Sequence, residues 1–253
     1  AREIAESGIS YVGIDMDGFS QISGRMDVIA GLEKAKPAME YLRDAGVGCG
    51  VRITIGEFNL SQLASIIGAI ENTGLKRFAV CQHIDGSDWK AVKEERREII
   101  DFLIDYAMKN PEMEVVTEQL YDDGVYLLQR VAEHEPELAV EMEKLLARQG
   151  GCPAGDRIVN VDYRGNVHLC PYWQYRTIGN IREQKLSDIC FDEENEILAM
   201  MKDKTQHLKG KCGRCRHNHL CRGCGARAEE MCGDLFGTDP ACYLTEEEVA
   251  AVR

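Results

Sequence analysis

"KCGRCRHNHLCRGCGARAEEMCGDLFGTDPACYL", residues 211–244, carries Cys212, Cys215, Cys221, Cys224, Cys232 and Cys242. Cys212 and Cys215 form one pair with two residues between them, and Cys221 and Cys224 form a second. Such spacing lets both thiolates turn onto one metal centre within a single tight loop. A zinc ribbon usually separates its two pairs by about 15–20 residues. Here residues 216–220 are the whole interval, too short for the usual intervening hairpin. His217 and His219 lie in that interval, either as further ligands or as exposed loop histidines.

Working outward, Cys152, Cys170 and Cys190 precede the run, and only Cys49 and Cys81 lie earlier. The sequence opens "AREIAESGIS", which has no signal-peptide pattern and reads as the end of a helix running into a strand. A reducing cytoplasm is expected, where clustered thiols mean metal more often than disulfide. Zinc is the simpler reading. An iron–sulfur cluster takes four thiolates, and the cysteines from Cys152 onward suffice for two such clusters.

Composition narrows the field. The 253 residues are 44% hydrophobic and 29% charged, as in globular proteins, with a net charge of −13. That excess of acid argues against nucleic acid, whose phosphates need clustered Lys and Arg, and against an anionic membrane surface. No apolar run approaches the roughly 18 residues of a membrane span.

The first part of the chain alternates strand and helix patterns. Residues 11–15, 49–55, 77–82 and 113–117 read as short apolar strands. Helical periodicity covers 26–45, 61–74, 90–108 and the stretch to about 146, with Ser61 as an N-cap and Gly74 as a stop. Repeated βα units imply a parallel sheet, either doubly wound or part of a barrel. "RQGGCPAG" (148–155) breaks the rhythm, and short strands at 157–162, 166–170 and 177–181 follow. The expected domains are residues 1–149 and 150–253.

The order of the cysteines carries a resemblance. Cys152, Gly165, Cys170, Cys212, Cys215, Cys221, Cys224 and Cys242 follow the pattern C-x(9–15)-G-x4-C, a gap, C-x2-C-x5-C-x3-C, a gap, and C. The sequence therefore resembles the SPASM domain of radical S-adenosylmethionine enzymes, with two residues rather than three between Cys221 and Cys224. "GNI" (179–181) and "LSDIC" (186–190) resemble the stretch between its two cysteine groups. "VTEQLYDDGVYLLQRV" (116–131), "GNVH" (165–168), "CGARA" (224–228) and "GTDPACYLTEEE" (237–248) resemble the members that modify side chains of iron tetrapyrroles in heme and heme d1 biosynthesis.

The resemblance implies a partial radical SAM (β/α) barrel followed by a cysteine-rich SPASM domain, an α/β fold. It implies two auxiliary [4Fe–4S] clusters, one on Cys212, Cys215, Cys221 and Cys242. The other would use Cys152, Cys170 and Cys224, with Cys232 as candidate fourth ligand and Cys190 as a buried structural thiol. It also implies S-adenosylmethionine, an iron tetrapyrrole whose propionate or acetate groups are altered, and an electron donor such as a ferredoxin or flavodoxin.

The family's radical-generating loop, CxxxCxxC, is absent from these 253 residues. The expectation is a chain that lacks the N-terminal strands of its barrel and is inactive alone. "GIDMDG" (13–18) is similar to the family's "GISLDG", which puts Asp15 at the Ser that helps bind the cofactor ribose. Asp17 reads as a turn residue before Gly18. Arg52 suits either the cofactor carboxylate or a carboxylate of the barrel itself. In "HLCPYWQYR" (168–176), His168 is a candidate ligand for substrate iron, and Tyr172, Trp173, Tyr175 and Arg176 are candidate ring and carboxylate contacts. The alternatives are a SPASM enzyme that matures a peptide, or a non-catalytic zinc or iron–sulfur module.

Overall fold

The apolar runs of the first half pair into one parallel sheet. In the computed structural model, which describes residues 1–15, 28–55, 60–82, 93, 95–118 and 121–250, its strands are β1 (Tyr11–Asp15), β2 (Gly48–Ile55), β3 (Arg77–Gln82) and β4 (Glu114–Glu118). They lie side by side in chain order, each parallel to the next. A doubly wound sheet would reverse its strand order at a switch point. Among the described residues the order β1-β2-β3-β4 has no reversal, which is the order of an arc of a (β/α) barrel.

Helices α1 (Arg2–Glu6), α2 (Val28–Asp44), α3 (Leu63–Glu71) and α4 (Arg96–Lys109) alternate with the strands. Side chains on a strand point alternately to opposite faces. Val51, Ile53, Ile55, Phe78 and Val80 are buried, as are Leu32, Met39, Leu42, Ile66, Ile67, Ile70, Ile99, Ile100 and Leu103 from the helices. The opposite face is polar, with Asp15, Arg52, Arg77 and Glu118 around a cleft floored by Gly13 and Ala79. Ser61 is not the N-cap of α3. It sits in a 3-10 turn, Leu60–Gln62, and Gln62 occupies the cap position without a side-chain bond. Gly74 stops the segment at φ +75°, a conformation that suits glycine. Asp17, Gly18 and the segment 83–92 lie outside the described residues.

The chain forms two compact units, Ala1–Leu120 and Tyr121–Arg253. The division comes earlier than the boundary near 150 that the βα rhythm suggests. Helices α5 (Asp122–His134) and α6 (Pro136–Gln149) continue that rhythm but bond within the second unit. The Tyr243 backbone N–H donates to Asp122 at 3.2 Å, and its hydroxyl donates to Asp123 at 3.0 Å. Gln129 Nε2 donates to the Glu248 carbonyl at 3.3 Å.

After α6 come a small antiparallel sheet and short helices. The sheet is β5 (Asn160–Val161), β6 (Asn166–His168) and β7 (Thr177–Asn180) in that order. Its strands are shorter than their apolar runs because Asp162 draws the chain into a turn. Its carboxylate accepts from the backbone N–H groups of Arg164 and Asn166 at 2.8 and 2.9 Å. The helices are α7 (Leu186–Cys190), α8 (Glu196–Lys202), α9 (Lys204–His207), α10 (Gly210–Arg214), α11 (Asn218–Cys221), α12 (Gly225–Cys232) and α13 (Glu246–Val249). No described helix is long and apolar enough to cross a membrane.

Phe78, 0% exposed, tests the packed face of the sheet. Phe78→Ala should lower stability by about 3–5 kcal/mol, and Tyr163→Ala, at an exposed site, by less than about 0.5 kcal/mol. Urea denaturation of the chain measures both, and equal losses would contradict the burial.

Candidate metal centre: two groups of cysteine thiols

The thiols separate into two groups, both in the second unit. Cys212 lies in α10, Cys215 just after it, Cys221 at the end of α11, and Cys242 in the loop before α13. These four line one cavity, together with the apolar side chains of Leu208, Leu244 and Val249. The backbone already bonds two of the sulfurs. Asp239 N–H donates to Cys212 Sγ at 3.3 Å, and His217 N–H donates to Cys215 Sγ at 3.4 Å. Lys211 Nζ holds the Leu244 carbonyl, which fixes the segment carrying Cys242.

Cys152, Cys170 and Cys224 form the second group, all buried. Cys152 follows α6, and its N–H donates to the Cys221 carbonyl at 3.0 Å. Cys170 follows β6, and Cys224 caps the N-terminus of α12. Burial pushes the Cys170 thiol up to about 12, with Cys152 and Cys224 adding to the rise. The Tyr121 phenol is pushed up by burial and then by Cys152, Cys224 and Cys170, so it borders the same three thiols.

In the four-thiol cavity, burial likewise raises Cys212, Cys215 and Cys221, and Cys242 to about 12. All these thiols are therefore protonated near neutrality, and metal uptake has to displace their protons. Among the described residues, no three His, Cys, Asp or Glu side chains stand close enough to share a single metal ion. Zinc needs each sulfur at about 2.3 Å from one point. An iron–sulfur cubane spreads its thiolates over several irons, so a ring of four thiols around a cavity suits it better. The donor set fits an iron–sulfur cluster.

The remaining candidates fall outside these groups. Cys232 is exposed at the far end of α12, whose eight residues carry it about 12 Å along the helix from Cys224. Its thiol thus stands at the opposite end of that helix from Cys224. Cys190 ends α7, half-buried. His168 is 2% exposed, with Nδ1 at 3.0 Å from the Arg176 carbonyl and Nε2 at 3.3 Å from Asp162. Both ring nitrogens are engaged, so it is a structural histidine here. Trp173 is fully buried and donates its indole N–H to Glu229 at 2.7 Å, which also pairs with Arg176. Tyr172 and Tyr175 are exposed, so the aromatic run does not converge on one cavity. His217 stands 3.2 Å from the Gln129 amide, and His219 is exposed, 3.8 Å from Glu143.

In the first unit, Arg52 grips Asp15 with a two-pronged contact, NH2 to Oδ2 at 3.0 Å and Nε to Oδ1. Glu118 lies 3.6 Å from the same guanidinium. Arg52 is thus satisfied by carboxylates of its own sheet. The hydrogen bond that Arg52 donates to Asp15, set against burial, raises its pKa further.

Sequence reasoning missed the charges packed around the thiols. Arg227 and Asp239, 1% and 6% exposed, form a buried pair with Nε–Oδ1 at 2.9 Å and NH2–Oδ2 at 2.8 Å. Lys204 is 1% exposed. Asp122 lines the four-thiol cavity. "CGARA" and "GTDPAC" contain Arg227 and Asp239, but nothing in the spacing says that they meet.

Residues 152–225 match the SPASM iron–sulfur cluster-binding domain family. The cysteine-rich end is accordingly a SPASM domain, and the cavity adds Cys242 from beyond the matched segment. The chain is 30% identical over 98% of its length to Fe-coproporphyrin III synthase of Methanosarcina barkeri, covering 66% of that protein. It is also 30% identical over 98% of its length to pre-heme d1 synthase of Dinoroseobacter shibae, covering 65%. It thus spans about two thirds of the length of these relatives. The crystal structure of Streptococcus suis SuiB superposes with a TM-score of 0.62 at 16% identity, over 92% of this chain and 54% of that one. SuiB bound to S-adenosylmethionine gives 0.59 at 15%, over 92% and 53%. At such identity the likeness is one of fold. Residues 152–225 thus carry the SPASM family assignment, and the chain as a whole is similar to Fe-coproporphyrin III synthase and pre-heme d1 synthase.

The metal-free second unit should lose stability as pH rises. Burial first, then Asp123 and Asp239, raise the Asp122 carboxyl to about 7 from its ordinary 3.8. A raised carboxyl stabilises the fold fully below its unfolded pKa, and that contribution is lost as pH climbs through the folded value. Thermal unfolding of the metal-free chain should therefore weaken between about pH 4 and 7. Asp122→Asn should flatten that change, and an undiminished slope in the variant would contradict the assignment.

Proposed function

We propose that these residues are the cluster-bearing part of a radical SAM enzyme that alters propionate or acetate side chains of an iron tetrapyrrole. The observation that carries the reading is the partition of seven buried or half-buried thiols into a group of four around one cavity and a group of three. The heme-synthesis relatives supply the substrate class. When bound, the two auxiliary clusters would supply one-electron redox chemistry.

The chain's own residues do the rest. Cys212, Cys215, Cys221 and Cys242 hold one cluster, and Cys152, Cys170 and Cys224 hold three corners of the other. Asp239 N–H and His217 N–H donate to two of the sulfurs and stabilise their thiolate form. In the barrel cleft, Asp15 can accept from cofactor ribose hydroxyls, as acidic residues do in dinucleotide folds. Arg52 serves as its positioning residue through the fork contact. A low-potential donor of the ferredoxin or flavodoxin type completes the proposed set of partners.

The test begins with the DNA in frame upstream of Ala1, which should encode a CxxxCxxC. The protein including that segment should cleave S-adenosylmethionine to 5′-deoxyadenosine under reducing conditions, faster when an iron tetrapyrrole bearing both acetate and propionate side chains, such as siroheme, is present. An upstream segment without the motif would contradict the enzyme reading. Cleavage indifferent to the tetrapyrrole would contradict the substrate class.

A further inference from the structure

The two thiol groups meet across the shortest segment of the unit. Cys221 belongs to the four-thiol cavity and Cys224 to the three-thiol group, with only Arg222 and Gly223 between them. Both intervening residues are left-handed, at φ 63° and 53°, which turns the two cysteines to different sites. A Cβ on Gly223 would stand 3.2 Å from Cys212 Sγ, so the chain passes directly against the first group.

Two buried cations accompany this crossing, and they differ in one respect. Arg227 is neutralised by Asp239, whose carboxylate also accepts from Cys224 N–H at 2.9 Å. Lys204 is equally buried, but its ammonium donates to a neutral group, the Gly223 carbonyl, at 2.7 Å. Among the described residues, no carboxylate forms an ion pair with Lys204. Burying an ammonium without a counter-charge is unfavourable by several kcal/mol. Its anchor nonetheless faces both sides of the crossing: Gly223 lies between Cys221 of one group and Cys224 of the other, and it stands directly against Cys212. Three thiolates already outweigh the double positive charge of an oxidised [4Fe–4S] core, and four do so further, so each loaded site would be anionic and would supply the missing counter-charge.

We propose that Lys204 is a cation shared by the two iron–sulfur sites, fixed on the Gly223 carbonyl midway along the Cys221–Cys224 link, and that it raises the reduction potential of both clusters. A reduced cluster carries one more negative charge than an oxidised one. A buried ammonium therefore favours the reduced form by Coulomb attraction, in a medium that screens it poorly. Net charge and burial are among the terms that set such potentials. Lys204 acts through the clusters and touches no substrate, so it is a positioning charge. The inference rests on the two-cluster reading of the thiols.

Redox titration followed by electron paramagnetic resonance tests it on the anaerobically reconstituted chain. The variants are Lys204→Met, Lys204→Gln and, as a surface control, Lys209→Gln, whose ammonium is exposed beside Asp234. Both Lys204 variants should keep the iron and sulfide content of the unmodified chain. Both midpoint potentials should fall, with reduced cluster at a fixed potential diminished about tenfold or more, about 59 mV for a one-electron couple. Glutamine can still donate to Gly223, so its agreement with methionine assigns the effect to charge. Lys209→Gln should move neither potential. Unchanged potentials, a fall in one cluster alone, or an equal fall in Lys209→Gln would overturn the proposal. So would loss of the clusters from both Lys204 variants, which would assign the residue to assembly. If the unmodified chain takes up zinc without labile sulfide, the two-cluster reading itself fails, and the proposal with it.

Discussion

Asp239 ties the cysteine-rich unit together. Its carboxylate takes both prongs of Arg227 and the backbone N–H groups of Cys224 and Ala241, while its own N–H reaches Cys212 Sγ. One residue thereby sets the position of a thiol in each group. Burial alone would raise such a carboxyl, but the Arg227 charge and these hydrogen bonds hold it below its usual value. Its contribution to stability is present above the unfolded pKa and is lost as pH falls through the folded one. Removing either partner would leave the other charge buried and unanswered, which is far more harmful than losing a surface pair.

The buried charges and the thiols form one electrostatic system. Without metal, burial raises both the Cys242 thiol and the Asp122 carboxyl, and the acidic neighbours Asp123 and Asp239 add to the rise of Asp122. Thiolates held by iron reverse the demand, because they call for cations and N–H donors close by. Those are in place: Lys204 on Gly223, Arg227 on Asp239, and two backbone N–H groups on sulfur. The unit carries the electrostatics of a cluster-binding protein ahead of its clusters, while the first unit carries a polar cleft along one face of its parallel sheet.

Much of this was legible in the sequence, and the remainder has physical reasons. The four strands showed as apolar runs, and the central two bury Val51, Ile53, Ile55, Phe78 and Val80 on one face. Whether the sheet winds in one direction or two lies in the pairing order, which periodicity does not encode. The two CxxC pairs announced a metal site, and the order of the cysteines announced which family. The compact units divide before α5 rather than near 150, since α5 and α6 keep the helical rhythm of the barrel while bonds from α5 run to Tyr243 and Glu248. Cys232 is a candidate fourth ligand by nearness in sequence, and α12 sets it at the opposite end of the helix from Cys224. Arg227 with Asp239, and Lys204 with Gly223, join residues distant in the chain, and no local pattern marks such pairs.

The central claim is that the cysteines hold two iron–sulfur clusters. The most direct measurement is the content of iron, acid-labile sulfide and zinc per chain after anaerobic reconstitution. About eight irons and eight sulfides, four of each per cubane, are expected. One or two zinc ions per chain with no labile sulfide would contradict the account, and would make the cysteine-rich unit a zinc-stapled module without redox chemistry.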